Sequence, residues 1–172
     1  MLALAGRLVR PATLAAVMTL VATWGVGVTG GVASAQAAGT NEHVKVIITG
    51  EAGGPVFFTG VVNDAGSDVA GGEDAVVDTD VLARGTIFLY HKATGQPSFV
   101  PDFVTCLARV SEAGTFVVTG GTGAYAGITG GGTFSLQNGI ILYPRVNGQC
   151  NFGADPLAEL LVINGNLSVA LP

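Results

Sequence analysis

The chain has 172 residues, of which 49% are hydrophobic and only 11% charged, and its net charge is −5. That length supports one domain with a real core. The acidic balance excludes a nucleic-acid face, which needs clustered Lys and Arg, and disfavours adhesion to anionic lipid.

Residues 1–35 read as a targeting segment. Arg7 and Arg10 form a positive start, an apolar run follows from Ala12 to Val28, and Ala33-Ser34-Ala35 is a small-x-small cleavage site. The rival reading is a membrane anchor. The run is at the short limit for a span and is broken by Gly25, Gly27, Gly30 and Gly31, so no stable anchor is expected. No cysteine near the cleavage site offers a lipid attachment point. Arg7 and Arg10 are not adjacent, which argues against the twin-arginine route and for Sec-type secretion. The mature domain then covers 36–172, with five Lys/Arg against twelve Asp/Glu and a net charge of −7.

His43–Thr49 alternates polar and apolar residues and predicts a first strand. Pro55–Val62 predicts a second, with Pro55 at its start, where a missing N–H is tolerated. Asn63–Asp80 carries Asp64, Asp68, Glu73, Asp74, Asp78 and Asp80 among glycines and reads as a solvated loop, with room for a short strand at Ala75–Val77. Val81–His91 predicts a strand with Thr86, Phe88 and Tyr90 on one face and Ile87 and Leu89 on the other. A turn follows over Lys92–Pro97, then a strand over Phe99–Val110, its beginning weakened by Pro101. Glu112–Gly114 reads as a turn into a strand over Thr115–Thr119. Phe134–Tyr143 follows, and Asn138-Gly139 inside it is a strong hairpin signal. Pro156–Leu160 suits one helical turn, and Leu161–Leu171 a closing strand. About eight strands, Gly-rich turns and no sustained helical period indicate an all-β antiparallel sandwich or barrel.

The stretch Gly114–Phe134 organises this pattern. Gly120, Gly121, Gly123 and Gly127 permit a tight turn between two strands. Gly121-Thr-Gly123-Ala-Tyr-Ala126 also fits the dinucleotide fingerprint, which needs a following helix and an acid about 20 residues on. Gly127 and Gly130–Gly132 oppose a helix, and residues 138–149 contain no acid, so the glycine turn is the preferred reading. Cys106 and Cys150 on an exported chain are most simply a disulfide, closing a loop of about 45 residues, worth roughly 4 kcal/mol in the chain-entropy view. The alternatives are a buried free thiol or a catalytic one, and neither cysteine has a His nearby in sequence.

Three landmarks resemble the allene oxide cyclase and dirigent family of small barrels. Phe57-Phe-Thr-Gly-Val-Val-Asn-Asp64 is similar to its glycine-bearing strand ending in paired Asp. Ala83-Arg-Gly-Thr-Ile-Phe-Leu-Tyr90 is similar to its Ala-Gln-Gly-aromatic strand, and Val118–Gly130 to its Gly-Gly-Thr-Gly-x-aromatic turn. The resemblance implies a single antiparallel eight-stranded β-barrel with a largely apolar cavity, and either cyclisation of a fatty-acid epoxide or guidance of phenoxy-radical coupling. Two departures leave that equipment incomplete: Thr129 stands where dirigent proteins commonly carry Arg, and Asn63 replaces the first Asp of the pair.

No Gly-x-Ser-x-Gly, His-Glu-x-x-His or Cys-x-x-Cys motif is present. His43 and His91 lack ligand-spaced partners and read as surface residues at strand ends. The acidic stretch offers oxygens to Ca²⁺ without EF-hand spacing, so no metal and no cofactor is expected. Asp64 is the catalytic candidate, since burial at a barrel mouth raises a carboxyl pKa toward acid–base use. Phe57, Phe88, Tyr90, Phe116, Tyr125, Phe134 and Tyr143 are the candidate lining of a ligand cavity. Three functional expectations follow. The leading one is a secreted barrel that binds a small lipophilic or phenolic molecule. The others are a cofactor-free cyclase or isomerase and an inert surface or matrix module.

Overall fold

The computed structural model describes residues 39–50, 53–70 and 76–172. The expected leader, its cleavage site and residues 71–75 of the acidic stretch lie outside these.

The strands are β1 (Thr40–Ile48), β2 (Gly54–Thr59), β3 (Asp64–Ala70), β4 (Val77–Leu82), β5 (Gly85–Ala93), β6 (Ser98–Pro101), β7 (Leu107–Gly121), β8 (Thr129–Leu142), β9 (Arg145–Val146), β10 (Gln149–Cys150) and β11 (Ala158–Ala170). Eight of them close an antiparallel barrel. The ring runs β1-β2-β3-β4-β5-β7-β8-β11, and β11 returns to β1. β6 sits outside the ring on the first residues of β7, and β9 pairs with β10 as a separate hairpin. Among the described residues the one helical element is a 3₁₀ turn, Gly123–Tyr125.

Alternation explains the wall. Val44 and Val46 on β1, Val56 and Phe58 on β2, and Ile87 and Leu89 on β5 are buried, while their sequence neighbours face out. Val62, Tyr125 and Ile128 join the same core and stop the end of the barrel where the 3₁₀ turn lies. At the opposite end β7, β8 and β11 outrun the other strands. Ala108, Val110, Leu136, Ile141 and Tyr143 form a second core there, with Phe152 packed against it. Cys106 and Cys150 are joined across this end, tying the start of β7 to β10.

Several expected elements differ. The acidic loop is largely β3 and β4, with alternating Asp side chains turned inward. The Val81–His91 strand is divided by a turn at Ala83-Arg84. Phe99–Val110 breaks at Asp102, whose carboxylate accepts from the Val104 and Thr105 N–H groups and folds the chain into a turn. Glu112–Gly114 continues β7 rather than turning. Asn138-Gly139 makes no hairpin. β8 runs through it, and Gln137 and Asn138 together oppose Ser111, a β-bulge with Asn138 at φ 56°. The helical turn at Pro156–Leu160 is replaced by the start of β11, because Ala158 and Leu160 pair with Leu142 and Ile140.

Candidate functional site

The middle of the barrel is occupied by side chains. The Phe116 and Phe134 rings lie with centroids 4.9 Å apart, both buried. Two glycines make room for them. A Cβ on Gly114 would stand 2.3 Å from the Phe134 ring, and one on Gly165 2.8 Å from the Phe116 ring. The aromatic residues expected to share one cavity divide among four places. Phe116 and Phe134 lie inside. Tyr125 lies at the 3₁₀ end. Tyr143 sits in the second core, edge-to-face with Phe99 and Phe152. Phe57, Phe88 and Tyr90 alternate with buried neighbours and face outward, Phe57 and Tyr90 being about two-fifths exposed.

Asp64 opens β3 at the 3₁₀ end, and its side chain is 8% exposed. The Tyr125 hydroxyl donates to its Oδ2 at 2.5 Å, the Arg84 N–H at 3.1 Å and the Arg84 Nε–H at 3.4 Å. The Ala65 N–H donates to Oδ1 at 2.8 Å. Arg84 further donates to the carbonyls of Val62 and Asn63, and its guanidinium lies 5.7 Å from the Tyr125 ring centroid. The Tyr125 hydroxyl chiefly, then the backbone and Arg84 donors, holds Asp64 down to about 2, against the opposing effect of burial. Burial and the bond to Asp64 push Tyr125 up to about 12. The direction for Asp64 is opposite to the raised value anticipated from sequence, because donors that bond the ionised form outweigh desolvation. The cluster therefore works as a lock. It joins the segment after β2, the β4–β5 turn and the 3₁₀ turn, and the Ala124 N–H adds a bond to the Arg84 carbonyl at 2.9 Å. Gly123, at φ 59°, belongs to this joint, since a Cβ there would meet the Arg84 carbonyl at 2.5 Å. Gly120 and Gly127 also have positive φ, whereas Gly121 does not.

A second polar cluster faces inward toward the disulfide end. Asp68 and Asp80 are buried, 5% and 0% exposed, and stand opposite one another on β3 and β4. His91 Nδ1 and Asp78 Oδ2 lie 2.6 Å apart, with the ring N–H donating to the carboxylate, and both side chains are about one-fifth exposed. His91 is thus a half-buried ion-pair member, not the surface residue expected. Its ring meets Phe134 edge-on at 5.8 Å. The bond to Asp78 raises the His91 pKa above its ordinary value, against the effect of burial. His43, in contrast, is exposed and bonds Asn166. Sequence reasoning missed Asp68, Asp80 and His91. The available signal was Val77-Asp-Thr-Asp-Val81, a strict alternation with its polarity reversed. Among the described residues no group of three or more His, Cys, Asp and Glu side chains is arranged to hold a metal ion.

Beside Glu112, near this cluster, lies an open depression of about 310 Å³ lined by Thr94, Gln96, Ser111, Ser135 and Gln137 among others. No family model, curated protein or solved structure matches the chain.

Proposed function

We propose that the protein is an exported, disulfide-braced β-barrel module that works through its outer wall, with its interior serving stability. The observation that carries this reading is the packing of Phe116 and Phe134 against Gly165 and Gly114 at the barrel centre. An interior lipophilic or phenolic ligand would need the space those rings take. A cyclase of the allene oxide or dirigent type would need an adjustable ionisable group facing substrate, and Asp64 is committed to Tyr125 and Arg84.

The outer wall supplies the alternative. Across β2–β5 and the facing part of β7, the outward residues include Phe57, Val69, Val81, Tyr90 and Val117, each between 41% and 51% exposed. Val77, Tyr90 and Val117 are direct cross-strand partners and form one row. Among the described outward residues of these strands, Lys92 on β5 carries a charge. A large exposed apolar patch marks an interaction site. Export is supported by the Arg7/Arg10 start, the apolar run and Ala33-Ser-Ala35, and by the disulfide, which suits an oxidising compartment.

The test is titration of the mature protein with an apolar fluorescent probe, alongside N-terminal sequencing of the exported product. The expected result is no saturable one-to-one uptake and a chain beginning at Gln36 or within a few residues. Stoichiometric uptake displaced by small phenols would restore the interior-ligand reading. Retention of residues 1–35 on a membrane-bound product would overturn export.

A further inference from the structure

Asp68 and Asp80 are direct cross-strand partners whose side chains both turn into the barrel. Like charges in such a position destabilise a sheet. Asp80 is fully buried, and neither of its carboxyl oxygens meets a donor among the described residues. The titratable groups around the pair are Asp78 on β4, His91 on β5 and Glu112 on β7, while β2 contributes Val56 and Phe58. Lys45, Arg84, Lys92, Arg109 and Arg145 are all exposed, and none faces inward here. Among the described residues His91 is the cation that acts on the pair, and its Nδ1 is already bonded to Asp78.

We propose that Asp68 and Asp80 form one proton-binding site, holding a single proton between them, and that this proton fastens β3 to β4 on the inside of the barrel. Two carboxyl groups can bond each other when one carries a proton and donates it to the other. Such a shared proton would satisfy one of the two orphaned oxygens of Asp80. Burial first, then the Asp78 charge, pushes Asp68 up to about 6. Burial, then the Asp68 and Asp78 charges, pushes Asp80 well above the usual carboxylate range. Both folded values exceed the unfolded ones. The stability tied to this proton is therefore present in acid and is lost as pH rises through the folded values. His91, also raised, adds in the same sense from neutral pH upward. The barrel is accordingly tuned to mildly acidic surroundings and loosens at β3–β4 in alkali, whatever its outer wall binds.

Amide hydrogen exchange at about pH 5 and about pH 8, corrected for intrinsic rates, tests this in the wild type, Asp80→Asn and His91→Gln. In the wild type, protection of residues 64–70 and 77–82 should fall about tenfold or more relative to β1 and β11 between the two conditions. Asp80→Asn keeps the shape and carries a permanent donor, so it should flatten that dependence, whereas His91→Gln should leave most of it. Equal protection at both conditions, or a dependence that vanishes only in His91→Gln, would overturn the proposal. Should Asp80→Asn fail to fold, carboxyl carbon-13 titration of the wild type decides. One of the two carboxyls should keep its proton well above the ordinary carboxylate range, and ordinary titration of both near pH 4 would refute the shared site.

Discussion

Phe116→Ala tests whether the barrel centre is solid. Phe116 is 6% exposed and stacks at 4.9 Å on Phe134. Truncating such a ring costs about 3–5 kcal/mol, through lost transfer energy and the cavity left behind. For a domain of this size the melting temperature should fall roughly 10–20 °C. Gly165 supplies the internal control. It lies outside the positive-φ region, and the nearest atoms to an added Cβ are the Phe116 ring at 2.8 Å and a Leu167 methyl at 3.3 Å. Gly165→Ala alone should cost about 1–3 kcal/mol by overpacking. In the Phe116→Ala background that clash is gone, so the double variant should be more stable than the sum by at least about 1 kcal/mol. Denaturant unfolding measures all four corners of the cycle. The single Phe116→Ala variant should also gain affinity for a benzene-sized apolar ligand, because an apolar cavity stays dry and accepts one. Strict additivity, or wild-type uptake equal to that of the variant, would mean the rings do not fill the barrel and would sink the packing argument.

Two further outcomes follow from the braces at either end. Tyr125→Phe removes the largest support of the ionised Asp64 carboxylate, whose folded pKa of about 2 lies below the ordinary 3.8. The stabilisation is present in full above the unfolded value and is lost as pH falls through the folded one. It amounts to about 2 kcal/mol for the whole set of donors, so the wild type's advantage over Tyr125→Phe should shrink between about pH 4 and pH 2. An advantage constant across that range would show that the hydroxyl does not serve the ionised form. Reduction of Cys106–Cys150, whose residues are 44 apart in sequence, should cost roughly 4 kcal/mol in denaturant unfolding. A native exported protein with two alkylatable thiols would contradict the bond itself.

The all-β antiparallel class was legible because the apolar strands follow the expected period, whereas that period left sandwich and barrel open and closure into eight strands rested on the resemblance. Val44 and Val46, Val56 and Phe58, and Ile87 and Leu89 alternate with exposed neighbours and stand in the core. The boundaries that failed share one cause: tertiary pairing overrode a local signal. Asn138-Gly139 has hairpin chemistry, but β7 and β11 pair with β8 on both sides of it. The left-handed preference of Asn138 is spent on a bulge instead of a turn. Pro156–Leu160 has no helical competitor strong enough to displace a ladder with Leu142 and Ile140. Arg84 was invisible as a partner of Asp64, because the β4–β5 turn that delivers it, 20 residues away, exists only once the barrel closes.

The acidic stretch failed for a more instructive reason. Carboxylates are almost never fully buried unless paired, so Asp64–Asp80 reads as solvated on composition alone. Yet Asp78 and Asp80 alternate with Val77, Thr79 and Val81, and Asp68 precedes Val69, which is the period of a strand with the wrong residues inside. A one-residue slip of β4 would put its valines into the core and its acids into water, the arrangement burial energetics favour locally. The observed register is held because β3 and β5, on either side, are fixed by their own neighbours: Phe58↔Asp64 on one flank and Leu89↔Val118 on the other. The inversion has two physical consequences that arise together. It turns Val69, Val77 and Val81 outward onto the apolar wall, and it turns Asp68 and Asp80 inward, where a proton shared between the two buried carboxyls would pair them. The surface proposed for binding and the proposed proton site are therefore opposite faces of one hairpin, so a change that slips its register should abolish both at once.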